Sequence, residues 1–178
     1  MDMANKKDVL QLIQQNINFI LVGTTHPGNI GAAARAMKNM GIFQMGLVSP
    51  KEFPHEKAFF RAKAATDVLE KASIHKSLDE AISEAKLVIG TSARNRKVPW
   101  PIVSPREAAE EMVSFCKTSK DKVAVIFGRE DRGLTNEELG LCNLHVHIPS
   151  SDEYPSLNLS QAIQIIAYEI RLKALSNE

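Results

Sequence analysis

Residues 148–162 read IPSSDEYPSLNLSQA, and this stretch decides how the rest of the chain is laid out. An apolar, β-like run over residues 144–148 delivers the chain to Pro149 and then to a polar loop. The loop ends at Ser156-Leu157-Asn158-Leu159-Ser160, where a helical pattern begins and continues almost to the C-terminus. Ser156 and Asn158 therefore sit at a strand–loop–helix junction, where a helix N-terminus leaves backbone N–H groups free. Side chains of these types commonly cap a helix, and Asn158 with Gln161 has the spacing of a capping box. The local pattern leaves capping and ligand binding both open. Two earlier stretches make matching junctions.

The first is Phe19-Ile20-Leu21-Val22, a continuous apolar run of the kind buried in a parallel sheet. It ends in Gly23 and passes through Thr24-Thr25-His26-Pro27-Gly28-Asn29-Ile30-Gly31 into an alanine-rich helix carrying Arg35. The second is a strand over residues 122–127, followed by Gly128-Arg129-Glu130-Asp131-Arg132-Gly133-Leu134 and a helix capped by Thr135 with Glu138. Residues 45–48 and 87–90 read as further strands, and the latter runs into Thr91-Ser92-Ala93-Arg94-Asn95-Arg96-Lys97. Residues 57–69 hold a charged helical stretch. Ser77 with Glu80 opens a helix ending near Ala85. Ser104-Pro105-Arg106-Glu107 combines a serine cap, a proline at the first helical position and a capping glutamate for a helix running to about Thr118. Alternating strands and helices predict an α/β class with a mainly parallel sheet flanked by helices. Residues 1–17 form a polar lead-in helix, and residues 18–178 a single domain.

Composition agrees. Hydrophobic residues are 44% and charged residues 24% of the 178, a globular profile with neither the charge nor the polarity of a disordered chain. No apolar run approaches the ~18 residues that a membrane span needs, and MDMANKKDVL is not a signal peptide. Cys116 and Cys142 form no C-x-x-C pattern, so free buried thiols in a reducing cytoplasm are expected. A net charge of +1 means that any nucleic-acid partner must be held by local positive charge.

Several chemistries are excluded by spacing. Gly28-Asn29-Ile30-Gly31 lacks the G-x-G-x-x-G register, and no acidic residue closes the second strand, so a dinucleotide fold is not indicated. There is no G-K-[ST] and no G-x-S-x-G. Cys142, His145 and His147 lack a fourth ligand, so no metal is expected. His26, His55 and His75 have no evident partners.

Arg35 is less easily set aside. It lies in the second turn of its helix, near the positive end of the macrodipole and among alanines that cannot pair with it. An anion nearby would explain it, either a carboxylate such as Glu130 or a ligand phosphate; the alternative is a solvated arginine. Glu130 poses the mirror question, since Arg129 and Arg132 beside it would suit a surface ion pair worth under ~1 kcal/mol. The densest basic cluster is Arg94, Arg96 and Lys97, with Trp100 held between Pro99 and Pro101. These residues could grip phosphates and stack on an unpaired RNA base, or the cations could be solvated and the indole packed under its loop. Lys51, Lys57, Arg61 and Lys63 are a second basic group.

Taken together, His26-x-Gly28-Asn29-x-Gly31-x-x-x-Arg35, Ile126-Phe127-Gly128-x-Glu130-x-x-Gly133-Leu134, and Ile148-Pro149 through Ser156-Leu157-Asn158-x-Ser160-x-Ala162 resemble the three motifs of the SpoU/TrmH branch of SPOUT RNA methyltransferases. Thr91-Ser92-Ala93-Arg94, Pro99-Trp100-Pro101 and Tyr168-Glu169 resemble its TrmJ group, tRNA 2′-O-methyltransferases acting at nucleotide 32. The resemblance covers about residues 18–172. It implies a C-terminal trefoil knot, a homodimer with both subunits contributing to the active site, and S-adenosylmethionine bound by Thr91, Ser92, Ala93, Gly128, Ile148, Ser156, Leu157 and Asn158. Gly128 would let the main chain approach that ligand. The resemblance further implies that Arg35 is catalytic and contacts RNA, that Asn29 and Glu130 orient it, and that Ser156 and Asn158 shape the methyl-transfer pocket. The TrmJ group carries a C-terminal extension that helps hold RNA, and the sequence in hand ends at Glu178. Two other functions remain open: ribosomal RNA as substrate, and a non-catalytic knotted RNA-binding protein.

Overall fold

The computed structural model describes residues 3–92 and 100–176. Seven strands form one sheet in the order β3-β2-β1-β6-β4-β7-β5: β1 (Ile17–Val22), β2 (Gln44–Val48), β3 (Ser73–His75), β4 (Ala85–Thr91), β5 (Ile102–Val103), β6 (Lys122–Phe127) and β7 (Leu144–Val146). Every pair of neighbours is parallel, so all strands present their C-terminal ends to the same edge. Eight α-helices accompany them among the described residues: α1 (Met3–Asn16), α2 (Pro27–Asn39), α3 (Glu56–Ala62), α4 (Thr66–Glu70), α5 (Leu78–Ala81), α6 (Pro105–Thr118), α7 (Asn136–Gly140) and α8 (Leu159–Leu175).

The two faces of the sheet are unequal. Alternation along a strand sends successive side chains to opposite faces. Ile17, Phe19 and Leu21 of β1 join Val123, Val125 and Phe127 of β6 in the larger core, with Ile30 and Met37 of α2, Met112 of α6 and Ile166 of α8. Ile20, Val22, Ala124 and Ile126 point the other way, into a smaller core closed by Leu78, Leu134, Leu139 and Cys142. Burial on both faces explains why the central strands read as unbroken apolar runs. Val9 and Ile13 of α1 also belong to the larger core. The predicted lead-in helix thus packs against α6 and α8.

Most expected boundaries hold; the charged stretch after Lys57 divides into α3, a 3-10 turn (Lys63–Ala65) and α4, and α5 stops at Ala81, short of Ala85. The short strands β3 and β5 carried no signal above their surroundings. Cys116 and Cys142 are free and buried, and burial pushes their thiols up to about 11 and about 12. No helix among the described residues is long and apolar enough to cross a membrane.

Alanines and a glycine let α2 lie close to α3. A Cβ on Gly31 would run into the carbonyl oxygen of Ala58 and stand 2.9 Å from Arg61 Cβ. In an unconstrained helix, replacing glycine by alanine gains up to ~1 kcal/mol. Here overpacking at ~1–3 kcal/mol should win. Gly31→Ala is therefore expected to lower the urea midpoint, and an unchanged or raised midpoint would show that α3 yields freely.

Candidate active site

The loop after β6 is built as a clasp. Arg129 N–H donates to the Gly133 carbonyl at 3.2 Å, and Gly133 N–H returns the bond to the Arg129 carbonyl at 2.8 Å. Gly128 sits where a Cβ would run into the backbone of Gly133 and Leu134. The fold of the loop itself therefore requires a glycine at this position. Arg129 points to α7, where its guanidinium meets the Glu138 carboxylate at 2.9 and 3.0 Å. Glu138 also accepts from Thr135 N–H, completing the capping box anticipated for α7.

Glu130 points the opposite way, to the start of α2. Its carboxylate accepts from Thr25 N–H at 3.0 and 3.1 Å, His26 N–H at 3.1 Å and Asn29 Nδ2 at 3.0 Å. His26 provides no side-chain cap, so a residue about a hundred positions away takes that role. An anion is favoured there by free N–H groups and the positive end of the helix dipole. Burial by itself would raise the pKa of this carboxyl, but the three donors outweigh it and hold the group below its ordinary range.

These contacts remove two sequence-level expectations. Glu130 makes no ion pair with Arg129 or Arg132, since Arg129 is taken by Glu138 and Arg132 lies 3.9 Å from Asp131. Nor does a hydrogen bond or ion pair join Asn29 or Glu130 to Arg35: they bond each other and fix the loop that launches its helix. Arg35 is exposed on α2 and makes no hydrogen bond or ion pair among the described residues. It is a cation without a carboxylate on a rigidly anchored helix.

The loop opened by residue 147 returns to the same edge of the sheet. Asn158 caps α8: its Oδ1 accepts from Ser160 N–H and Oγ–H, both at 2.9 Å, and Gln161 Oε1 accepts from Asn158 N–H. The capping reading is therefore correct, and it leaves Asn158 Nδ2 without an acceptor among the described residues. Ser156 is exposed, while Leu157 and Ile148 are half-buried. Thr91 Oγ–H donates to the Ile126 carbonyl, and Ser92 N–H donates to the Val146 carbonyl. His147 Nδ1–H donates to Ser92 O at 3.1 Å. Thr91, Ser92, Gly128 and Ile148 are thus brought together at the adjoining ends of β6, β4 and β7. This uncharged lining of backbone groups and half-buried aliphatics suits a neutral adenosine moiety.

Ala93, Arg94, Arg96 and Lys97 lie outside the described residues. Trp100 is half-buried, its ring 5.5 Å from that of His145. The packed alternative thus accounts for at least one of its faces. His145 is buried; its Nε2–H donates to the Leu139 carbonyl, and Nδ1 has no partner among the described residues. Among those residues no group of three His, Cys, Asp or Glu side chains is arranged to hold a metal. His55 and His75 are not partnerless: His55 Nδ1 caps α3, and His75 bonds Ser73 Oγ at 2.9 Å. Two cavities, of about 410 and 470 Å³, lie away from the motif loops, one beside Asn18 and Glu80, the other beside Glu110 and Lys173.

The sequence model of the SpoU rRNA Methylase family matches residues 16–168. The chain belongs to that family. Within the SpoU family, a curated Pseudomonas aeruginosa relative named tRNA (cytidine/uridine/adenosine-2′-O-)-methyltransferase TrmJ is 52% identical over 90% of this chain and 62% of its own length. The Escherichia coli K12 tRNA (cytidine/uridine-2′-O-)-methyltransferase TrmJ is 48% identical over 92% of this chain and 66% of its own. The chain therefore spans a little under two thirds of the curated relatives it matches. A crystal structure of a probable methyltransferase from Bordetella pertussis superposes with a TM-score of 0.86 at 37% identity, covering 93% of this chain and 99% of that one.

The clasp predicts an acid sensitivity. Glu130 has a depressed folded-state pKa, so its stabilisation is complete above the ordinary value of 4.5 and is lost as pH falls through the lower folded value. Glu130→Gln should be less stable at neutral pH, with a shallower loss on acidification below pH ~4.5. Parallel acid limbs for parent and variant in chemical denaturation would show that the carboxylate contributes nothing there.

Proposed function

We propose that this protein transfers a methyl group from S-adenosylmethionine to a ribose 2′-oxygen of tRNA, at nucleotide 32. The observation that carries the reading is Arg35, without a partner among the described residues, on a helix that Glu130 locks to the clasp and that starts at the same sheet edge as the loop holding Ser156 and Asn158. The identities of 52% and 48% to proteins named as tRNA 2′-O-methyltransferases support the substrate class. The adenosine in one of those names extends the candidate bases beyond cytidine and uridine.

S-adenosylmethionine, when bound, supplies a methyl group already activated on a sulfonium. Thr91, Ser92, Gly128, Ile148 and Leu157 would hold it, with Ala93 as the family resemblance implies. The chain's remaining task is to position the ribose and ease loss of its proton. Arg35 donates to the 2′-oxygen and to the adjoining phosphate. A guanidinium with a pKa above ~12 is a poor base, so its contribution is stabilisation of the developing alkoxide. Glu130 and Asn29 act at one remove by fixing the loop from which α2 starts. Ser156 Oγ–H and Asn158 Nδ2–H, with no acceptor among the described residues, would orient the reacting groups. Arg94, Arg96 and Lys97 would add phosphate contacts. The trefoil threading belongs to the same proposal, as does a homodimer, supported by Tyr168, Leu172 and Leu175 exposed on one side of α8. A cytoplasmic location follows from a tRNA substrate.

The family description itself favours a second reading, methylation of ribosomal RNA. Mapping 2′-O-methyl sites in total RNA from cells with and without the gene separates the two.

Arg35→Ala should reduce tritiated-methyl transfer to bulk tRNA by about 10²–10³-fold, the effect of removing an oxyanion donor, while S-adenosylmethionine affinity stays within a few-fold. Arg35→Lys should also be poor, because an ammonium lacks the planar fork that reaches two oxygens. Near-parent turnover in the alanine variant would return Arg35 to the ordinary surface.

A further inference from the structure

The outer face of α3 is the least explained surface near Arg35. Ala58 and Ala62 are buried against α2, and the other residues of the seven-residue helix project around it at ~100° intervals. Arg61 flanks the seam with α2, its side chain within 3.7 Å of where a Gly28 Cβ would lie. Lys57 is one turn away on the same side, and Phe60 completes the outward arc. Arg35 follows Gly31 by one turn of α2, and helical side chains lean toward the N-terminus, so it stands at the same seam. Arg35, Arg61 and Lys57 make no ion pair among the described residues, and Phe60 is 71% exposed.

A single exposed phenylalanine is ordinary on a protein surface. Phe60 differs in its surroundings. The Lys63 ammonium lies over its ring, 4.2 Å from the centroid, and the side chain still keeps most of its surface exposed. Lys63 holds φ 52 and ψ −122, a left-handed conformation that favours glycine, and such strain concentrates at functional positions. The platform is also stiff. Phe59 stacks on Phe53 with ring centroids 6.3 Å apart, His55 caps the helix, and the Gly31–Ala58 contact presses α3 on α2.

We propose that this face receives the RNA strand flanking the reacting ribose: Arg61 and Lys57 neutralise consecutive phosphates, and Phe60 stacks on an unpaired base beyond them. A cationic track ending in an aromatic face is the arrangement that holds single-stranded nucleic acid without reading its sequence. Duplex RNA offers the phosphates but no free base face, so the aromatic residue would select an unpaired segment. The proposal rests on the RNA-modifying function above and names the surface that function uses.

The test measures binding of the full chain to a fluorescently labelled unmodified tRNA transcript and to a blunt RNA duplex. Phe60→Ala should weaken tRNA binding by about ten-fold, the worth of one stacked base. It should leave duplex binding and S-adenosylmethionine binding at parental values. Phe60→Trp should restore the tRNA affinity, which a merely structural defect would not allow. Lys57→Ala and Arg61→Ala should each reduce the slope of log K against log salt by about 0.7, one phosphate apiece. Parental tRNA affinity in Phe60→Ala overturns this surface and leaves the methyltransferase reading standing. A parent that binds no tRNA overturns both. A Phe60→Ala variant that sediments as a smaller species than the parent assigns the face to contact between copies, and also overturns the RNA role.

Discussion

One carboxylate at the positive end of one helix holds the candidate site together. α2 begins without a side-chain cap of its own, so its first amides would be left to water. Glu130 supplies the acceptor from across the sheet, and the cost of half-burying its charge is met by three N–H donors. The requirement runs backwards through the chain. For Glu130 to reach α2, the loop after β6 must double back tightly, which demands glycine at 128 and a left-handed residue at Gly133. For the loop to stay there, Arg129 must be anchored on the far side, and Glu138 does this while also capping α7.

The sheet explains why the site lies where it does. All neighbouring strands are parallel, so the loops following β1, β4, β6 and β7 emerge along one edge. The long helices α1, α2, α6 and α8 cover one face of that sheet together with the short α3 and α4, and α5 and α7 cover the other. The result is an edge crowded with helix starts and strand ends and rich in backbone donors. Such an edge can hold an uncharged nucleoside, whereas a polyanion must be met by cations placed around it.

Those cations are distinguishable by their partners. Arg129 is neutralised by Glu138, Lys38 by Asp67 at 2.9 Å, and Arg106 faces Glu169 at 3.6 Å. Arg35, Lys57 and Arg61 have no such carboxylate among the described residues, and they share the α2–α3 seam. In a protein with a net charge of only +1, a polyanion must be met by local charge of this kind. The close packing of α2 on α3 through Gly31 keeps that charge in register with the loop motifs.

Much of the fold is local and was legible in the residues. Ser104 with Glu107, Thr135 with Glu138 and Asn158 with Gln161 are capping boxes because donor and acceptor are three residues apart, and each forms in the structure. The apolar runs of β1, β4 and β6 follow from burial on both faces, and α6 and β6 have the bounds the sequence implies. The motif residues were legible as well, but not what each one touches. Glu130 bonds residues 101 to 105 positions away, so no periodicity could choose these over the adjacent arginines. Gly128 was read as room for a ligand, and the absence of a Cβ at both Gly128 and Gly31 also makes room for the protein's own backbone. The indole of Trp100 meets His145, a residue that pattern alone had grouped with Cys142 and His147. Local hydrogen bonds span three or four residues and can be read along the chain; contacts between loops depend on strand order, which only the assembled sheet decides.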